Sequence, residues 1–249
     1  MVGQYGFGLG ADEEGLVSLI AGSNCAAACP FGLPATTEGD IYTVAGGGSS
    51  SPGDGGPATS ADLVYPDALA LNGVDGLLIG EGLTTSSVGS VQLVPTAGCS
   101  TGCLFGLPSM VASDIYTIAG GGATFPGDGG PGTSAEVSAE GVAFDSSGDA
   151  LVADNFNGRL RLVARSNCAS SCPFALGSIT SGDIYTLAAG QVHPSGLSLD
   201  SAGDLLVADS YDNDLRLIAA SNCLSSCPFG LRSTTAGGIY TIAGNGDPG

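Results

Sequence analysis

The sequence predicts an all-β protein built from repeated antiparallel strands, and three observations lead to this class. The stretch Gly141–Val163 has three short apolar runs separated by a Ser-Ser-Gly-Asp turn and a polar corner, the pattern of an up-down-up β-meander. The phrase Ile-Tyr-Thr recurs at Ile41, Ile115, Ile184 and Ile239. The 249 residues include 43 Gly and no Trp, a composition that suits many short strands joined by tight turns.

Each repeat contains enough strand-like runs for one four-stranded sheet. The last repeat has four such runs: Gly196–Asp200, Asp204–Ala208, Leu215–Ala219 and Gly238–Ala243. Four antiparallel strands per repeat, with no helical periodicity, predict the blades of a β-propeller. We therefore expect a single domain over 1–249, with an incomplete blade at 1–45 and blades at 46–120, 121–190 and 191–249.

The incomplete first blade has candidates for only three of its four strands. Leu16–Ile20 matches a third strand, Asp40–Ala45 matches a fourth, and Gln4–Gly10 is the candidate for a distorted second strand. Three blades and a remnant predict a segment of a longer protein. Because an open arc leaves unpaired strand edges and an apolar flank, we expect a homodimer that closes the ring, with a strained four-bladed monomer as the alternative.

Three stretches resemble NHL-type β-propeller repeats. They are GDGGPATSADLVYP (Gly53–Pro66), VADNFNGRLRLV (152–163) and the closing IYTIAG (239–244). The resemblance recurs along nearly the whole chain and implies a ring of about six blades. A C-x-x-x-C insertion between the third and fourth strands departs from the common short repeat.

The charge balance excludes two classes of partner. The chain carries 24 acidic residues against five Arg and no Lys, for a formal net charge of −19. Such a surface repels phosphate backbones and anionic lipids, so nucleic-acid and membrane partners are not expected. Divalent cations and small neutral or cationic ligands remain open. No apolar run is long enough to span a membrane, and the N-terminus has no signal-peptide pattern.

The eight cysteines form four pairs with identical spacing. Even number and regular spacing predict local disulfides and a parent protein that is secreted or extracytoplasmic. Reduced thiols or metal thiolates are the alternatives, although each pair lies in a different repeat. The expected disulfides are Cys25–Cys29, Cys99–Cys103, Cys168–Cys172 and Cys223–Cys227.

A central funnel is the predicted functional site. In a propeller the innermost strand begins on the face where the second strand ends, so residues at both points converge on the axis. Five carboxylates and the only histidine would meet there, a donor set that suits Ca²⁺, or Zn²⁺ or Mn²⁺ through the imidazole. The predicted metal ligands are Asp67, Glu81, Glu140, Asp154, His193 and Asp209.

A local role competes with metal binding for five of these six residues. Asp154 and Asp209 can cap their own corners, with Asp154 pairing with Arg159. Asp67, Glu140 and His193 can form a solvated rim. Other acids are expected to stabilise turns or loops only: Asp145, Asp149, Asp200 and Asp204 in the first turns, and Asp54 and Asp128 in the Pro-Gly-Asp-Gly-Gly-Pro loops.

The stretch AEGVAFDSSGDALVAD (139–154) resembles the opening blade of the gluconolactonase, paraoxonase and fluorophosphatase propellers. The resemblance implies that Glu140 ligates a catalytic metal and that Asp154 or Asp209 assists. It favours metal-assisted hydrolysis of an ester, lactone or phosphotriester, with Glu140 and His193 as catalytic residues and His193 as ligand or general base. A non-catalytic protein- or glycan-binding module and a purely structural repeat fragment are the alternatives.

Overall fold

A computed structural model describes residues 2–4, 15–82, 88–190 and 192–244. Within these ranges the chain is all-β, with short 3₁₀ turns between strands, which confirms the predicted class. The strands, in chain order, are β1 (Val2–Gln4), β2 (Leu16–Ile20), β3 (Ile41–Gly46), β4 (Pro66–Asn72), β5 (Gly76–Glu81), β6 (Ser90–Pro95), β7 (Tyr116–Gly120), β8 (Gly130–Pro131), β9 (Ala139–Phe144), β10 (Ala150–Asp154), β11 (Arg159–Val163), β12 (Asp183–Ala189), β13 (Pro194–Leu199), β14 (Leu205–Asp209), β15 (Asp214–Ile218) and β16 (Ile239–Ala243).

The strands form four antiparallel meanders. Blade 1 is β4-β5-β6-β7, blade 2 is β9-β10-β11-β12 with the two-residue β8 on its outer edge, and blade 3 is β13-β14-β15-β16. The innermost strands β4, β9 and β13 contact one another in that order. The sheets therefore stack side by side as propeller-like blades, as expected from the repeats.

The first sheet has three strands, β1-β2-β3. Strands β2 and β3 lie where the sequence predicts a third and a fourth strand. A second strand is described at Val2–Gln4, where Val2, Gly3 and Gln4 pair with Ser18, Val17 and Leu16, so it includes only the first residue of the expected Gln4–Gly10. Residues 5–10 of the expected strand lie outside the described residues.

The blades in the middle of the arc are covered on both faces. Every residue of β5, β6 and β10 is buried, although the period of a strand would normally place alternate residues in solvent. In β14, by contrast, Leu206 is partly exposed and Ala208 is exposed. Among the described residues no further sheet covers this side of blade 3.

The same register shift recurs in every sheet between the third and the fourth strand. It falls just before Ser18 in the first sheet, Gln92 in blade 1, Arg161 in blade 2 and Arg216 in blade 3. A bulge of this kind re-aims the side chain beside it. The polar residue at this point, which we call the bulge residue, is therefore the same structural position in each sheet.

The four predicted disulfides are present, with Cα–Cα distances of 5.6 to 5.8 Å. Each closes the insertion between the third and fourth strands of its sheet, and the insertion of blade 1 packs on blade 2. The Phe105 N–H donates to the Arg165 carbonyl at 2.9 Å, and the Gly106 N–H donates to Ser181 Oγ at 2.8 Å. Phe105 is buried, whereas Phe229 at the same position of the last insertion is 53% exposed. The insertion of blade 1 thus joins it to blade 2, whereas the last insertion leaves its phenylalanine exposed.

The acids assigned to first turns do lie in them. Asp145 Oδ1 accepts the N–H groups of Ser147 and Asp149 at 2.8 and 2.9 Å, and Asp200 does the same one blade later. Asp149 in turn accepts the Arg165 N–H at 2.7 Å. No helix of the described residues is long and apolar enough to cross a membrane.

Candidate functional site

The candidate residues share one end of the blades, which we call the strand-end face. Register pairs the start of each innermost strand with the end of the second strand: Pro66 with Glu81, Ala139 with Asp154, and Pro194 with Asp209. Neighbouring blades meet at this end, since Asn155 Nδ2 of blade 2 donates to the Pro194 carbonyl of blade 3 at 3.1 Å.

The three second-strand carboxylates perform the same local task. Each accepts a hydrogen bond from a backbone N–H that leads into the innermost strand of its own blade. Val64 donates to Glu81 Oε1 at 2.6 Å, Ser138 to Asp154 Oδ1 at 2.8 Å, and His193 to Asp209 Oδ1 at 3.2 Å. These carboxylates therefore tie the start of the first strand to the end of the second.

The second oxygen of each carboxylate is also engaged within its blade. Glu81 Oε2 accepts the Ser90 hydroxyl, Asp154 Oδ2 lies 3.3 Å from Arg161 Nη1, and Asp209 Oδ2 lies 3.1 Å from Arg216 Nε.

The predicted partner of Asp154 is wrong: the carboxylate pairs with Arg161 and not with Arg159. Arg161 has no exposed side-chain surface, so its charge needs a buried counterion. Arg159 instead places its guanidinium 4.6 Å from the centre of the Phe125 ring.

Burial dominates the electrostatics of these carboxyls. It raises the pKa of Glu81 against the opposing hydrogen bonds from Ser90 and Val64, with the charge of Asp62 adding to the rise. It also raises the pKa of Asp154, against the Ser138 N–H, Asn157 and Arg161. Both carboxylates thus depend on their local donors to stay charged.

The residues at the starts of the innermost strands lie closer to solvent. Partial burial raises the pKa of Glu140, and the neighbouring charge of Asp67 raises it further. The His193 ring is half-buried and stacks 4.7 Å from the Tyr211 ring at an angle of 41°. The structure thus brings Asp67 near Glu140 and sets the imidazole against an aromatic ring.

The predicted metal centre stays a prediction. Within the described ranges, no three His, Cys, Asp or Glu side chains are placed to hold one metal ion. The donor set fits poorly, because Glu81 and Asp154 already accept hydrogen bonds on both carboxylate oxygens. Asp209 accepts the His193 N–H on one oxygen, and its other oxygen forms an ion pair with Arg216. Asp67, Glu140 and His193, the other predicted ligands, lie at the starts of the innermost strands.

The loop acids bind the outermost strand of their own blade. Asp54 Oδ1 accepts the N–H and the hydroxyl of Thr117 at 2.7 and 2.9 Å. Asp128 Oδ1 accepts the Thr186 hydroxyl and lies 2.9 Å from Arg161 Nη2. Both loops are therefore fastened across the blade edge by equivalent carboxylates.

Sequence reasoning missed a group of exposed aromatic side chains on the strand-end face. Phe156 is 69% exposed and Tyr211 60%, each in the turn that follows a second strand, while Tyr65 directly precedes β4 and is 45% exposed. The signal in the sequence was the position of Phe156 and Tyr211, because each stands in the polar corner that follows a second strand.

Comparisons with known proteins add no family to these observations. No protein-family model matches the chain, and neither does any curated protein sequence.

Proposed function

We propose that this chain is a non-catalytic binding module, an NHL-type propeller segment whose strand-end face binds a protein partner. The observation that carries the proposal is the exposure of Phe156, Tyr211 and Tyr65 on one face. Exposed aromatic residues are enriched in protein interfaces, where they supply most of the binding energy. Their acidic neighbours, Asp67 and Glu140, favour a partner surface with basic residues.

The engagement of the second-strand carboxylates supports a binding role over catalysis. Metal-assisted hydrolysis needs several of these carboxylates to converge on one ion with an open coordination position. Asp154 and Asp209 instead stabilise their own corners and form ion pairs with the fully buried Arg161 and the partly buried Arg216. The aromatic side chains of the strand-end face stay exposed, whereas three of the six predicted ligands are held in their own corners.

Oxidising surroundings fit this role. Four disulfides among the eight cysteines are typical of extracellular proteins. We therefore place the working module outside the cytosol, where the acidic face meets secreted or cell-surface proteins.

The experiment tests binding on protein and glycan arrays with the full chain and with the double variant Phe156→Ser/Tyr211→Ser. Phe229→Ser is the control, since Phe229 is 53% exposed but lies on the disulfide insertion at the opposite end of the blade. We expect captured proteins to be lost from the double variant and kept by the control. Binding of glycans alone, or equal loss in both variants, would contradict the proposal.

A parallel measurement addresses the hydrolase alternative. Elemental analysis and hydrolysis of activated esters and phosphotriesters, with and without chelator, should give neither stoichiometric metal nor turnover. Metal-dependent turnover that disappears in His193→Ala and Glu140→Ala would establish the enzyme and refute the binding-only role.

A further inference from the structure

The bulge residue differs between blades in one respect. It is Arg161 in blade 2 and Arg216 in blade 3, but Gln92 in blade 1. The register is the same in each case, since Gln92 pairs with Thr117 of β7 as Arg161 pairs with Thr186 of β12. The side chains at this position, and the groups that they contact, can therefore be compared directly between blades.

In blade 2 the bulge residue places a guanidinium between two carboxylates and a carbonyl. Arg161 is fully buried, and its nitrogens contact Asp154, Asp128 and the Pro126 carbonyl. One cation therefore holds the strand-end corner and the Pro-Gly-Asp-Gly-Gly-Pro loop together.

In blade 3 the bulge residue is also an arginine that pairs with carboxylates, but with a different set of them. Arg216 forms ion pairs with Asp209, Asp212 and Asp214. In both blades a planar cation thus sits against the second-strand carboxylate.

Blade 1 keeps the carboxylates but has lost the cation. Glu81 occupies the position of Asp154, and Asp54 binds Thr117 as Asp128 binds Thr186. Gln92 is fully buried, and neither its amide nitrogen nor its amide oxygen has a hydrogen-bond partner. Leaving a buried amide unsatisfied is costly, so this side chain needs an explanation.

A cavity lies where the guanidinium would be. Its volume is about 610 Å³, and its lining includes Gln92, Glu81, Asp54 and Asp62. Three carboxylates and an amide group thus face one space, and none of the described residues that line it is basic.

We propose that this cavity binds the guanidinium group of a ligand, which takes the place that the Arg161 side chain fills in blade 2. The ligand donates to Glu81, to Asp54 and to the Gln92 carbonyl oxygen. This deepens the proposed function, because it assigns the partner an exposed arginine.

A guanidinium fits better than the other cations. A metal ion needs several carboxylates around one point, and the acids of this cavity do not form such a group. An ammonium is a compact point charge, whereas the planar guanidinium offers five donors that reach separate acceptors, as Arg161 does.

The test is a calorimetric titration of the full chain with N-acetyl-arginine amide. N-acetyl-citrulline amide has nearly the same shape without the charge, and N-acetyl-lysine amide has the charge without the planar fork. We expect the arginine compound to bind at least tenfold more tightly than either. Equal binding of the citrulline compound, or displacement of the arginine compound by Ca²⁺ at an equal concentration, would overturn the proposal.

Variants locate the site. Gln92→Arg supplies the guanidinium from within, so it should abolish binding and raise the melting temperature. Asp54→Asn, at an exposed position, should weaken binding at least fivefold, while Asp40→Asn removes the same charge from a distant exposed position and should leave it unchanged. Undiminished binding in both Gln92→Arg and Asp54→Asn would place the ligand elsewhere and refute the assignment.

Two further experiments are needed. The first distinguishes a protein partner from a free guanidino compound, and the second distinguishes the cavity proposal from the proposed binding module. A peptide with a central arginine that binds more tightly than the amide identifies a protein partner, and equal binding identifies a free guanidino compound; either supports the cavity. The variant Phe156→Ser/Tyr211→Ser should still bind N-acetyl-arginine amide. If it does while array binding fails in the wild type, the proposed module is wrong and the cavity stands.

Discussion

Asp154 and Arg161 form a fully buried ion pair, with 3.3 Å between Oδ2 and Nη1 and no exposed side-chain surface on either residue. Asp154 also holds the start of β9 through the Ser138 N–H, and Arg161 also holds the loop of Asp128. The pair therefore connects three segments of blade 2. The pair matters for stability mainly because removal of one partner leaves the charge of the other buried without a counterion.

Removing the cation of this pair should destabilise the protein strongly. Arg161→Met should lower the free energy of unfolding by about 3 to 5 kcal/mol, because Asp154 keeps a buried charge without its counterion. Urea denaturation at pH 7 measures the change. Arg159→Met is the control and should cost about 1 kcal/mol, since Arg159 loses only its contact with Phe125. Equal costs for the two variants would contradict this assignment.

Asp149 gives stability a pH dependence of known sign. Burial raises its pKa to about 6, with the Arg165 N–H opposing the rise and the charge of Asp145 adding to it. The folded protein therefore binds more protons than the unfolded chain between about pH 4 and pH 6, and this residue lowers stability as the pH rises through that window.

Asp149→Asn should remove this dependence. Its amide oxygen can still accept the Arg165 N–H, but it never becomes charged. The melting temperature of the variant relative to the wild type should thus increase from pH 4 to pH 7, by the equivalent of roughly 1 to 3 kcal/mol. A difference that stays constant over this range would show that the carboxyl titrates normally.

The disulfides should contribute modestly and unequally. Each closes a loop of only a few residues, so Cys168→Ser/Cys172→Ser should cost about 2 kcal/mol from loop entropy. The same change at Cys223 and Cys227 should cost less, because the last insertion packs on no further described blade and leaves Phe229 exposed. Denaturation of both double variants under oxidising conditions compares them, and a larger loss at the last insertion would refute the packing role.

Repetition made most of the fold predictable. The turn acids Asp145 and Asp200, the Ile-Tyr-Thr strands and the cysteine spacing each recur, so a single pattern fixed several strands at once. The first sheet was less predictable: β1 has no recurring phrase, and its position depends on pairing with β2.

The sequence predicted which residues lie at the strand ends, but not how their side chains are oriented. Alignment of strand ends located Glu81, Asp154 and Asp209 at one end of the blades, but it could not decide whether their oxygens face the axis or their own corners. That choice depends on Ser90, Arg161 and Arg216, which lie on another strand. The cavity beside Gln92 could not be predicted from the sequence for a related reason. It exists because blade 1 has Gln92 where blade 2 has Arg161, and this equivalence is known only from the strand register.

The open side of blade 3 predicts self-association. Ala208 and Leu215 pair across β14 and β15 on this side, and both are exposed, whereas the corresponding strands of blade 2 are almost entirely buried. Because covering this apolar surface is favourable, we expect light scattering at micromolar concentration to give twice the chain mass of 24.1 kDa. Leu215→Arg should restore the monomer by placing a charge in the interface. Leu224→Arg, at a residue that is 87% exposed on the disulfide insertion, should leave the dimer intact. A wild-type mass of one chain would mean that blade 3 tolerates its exposed side.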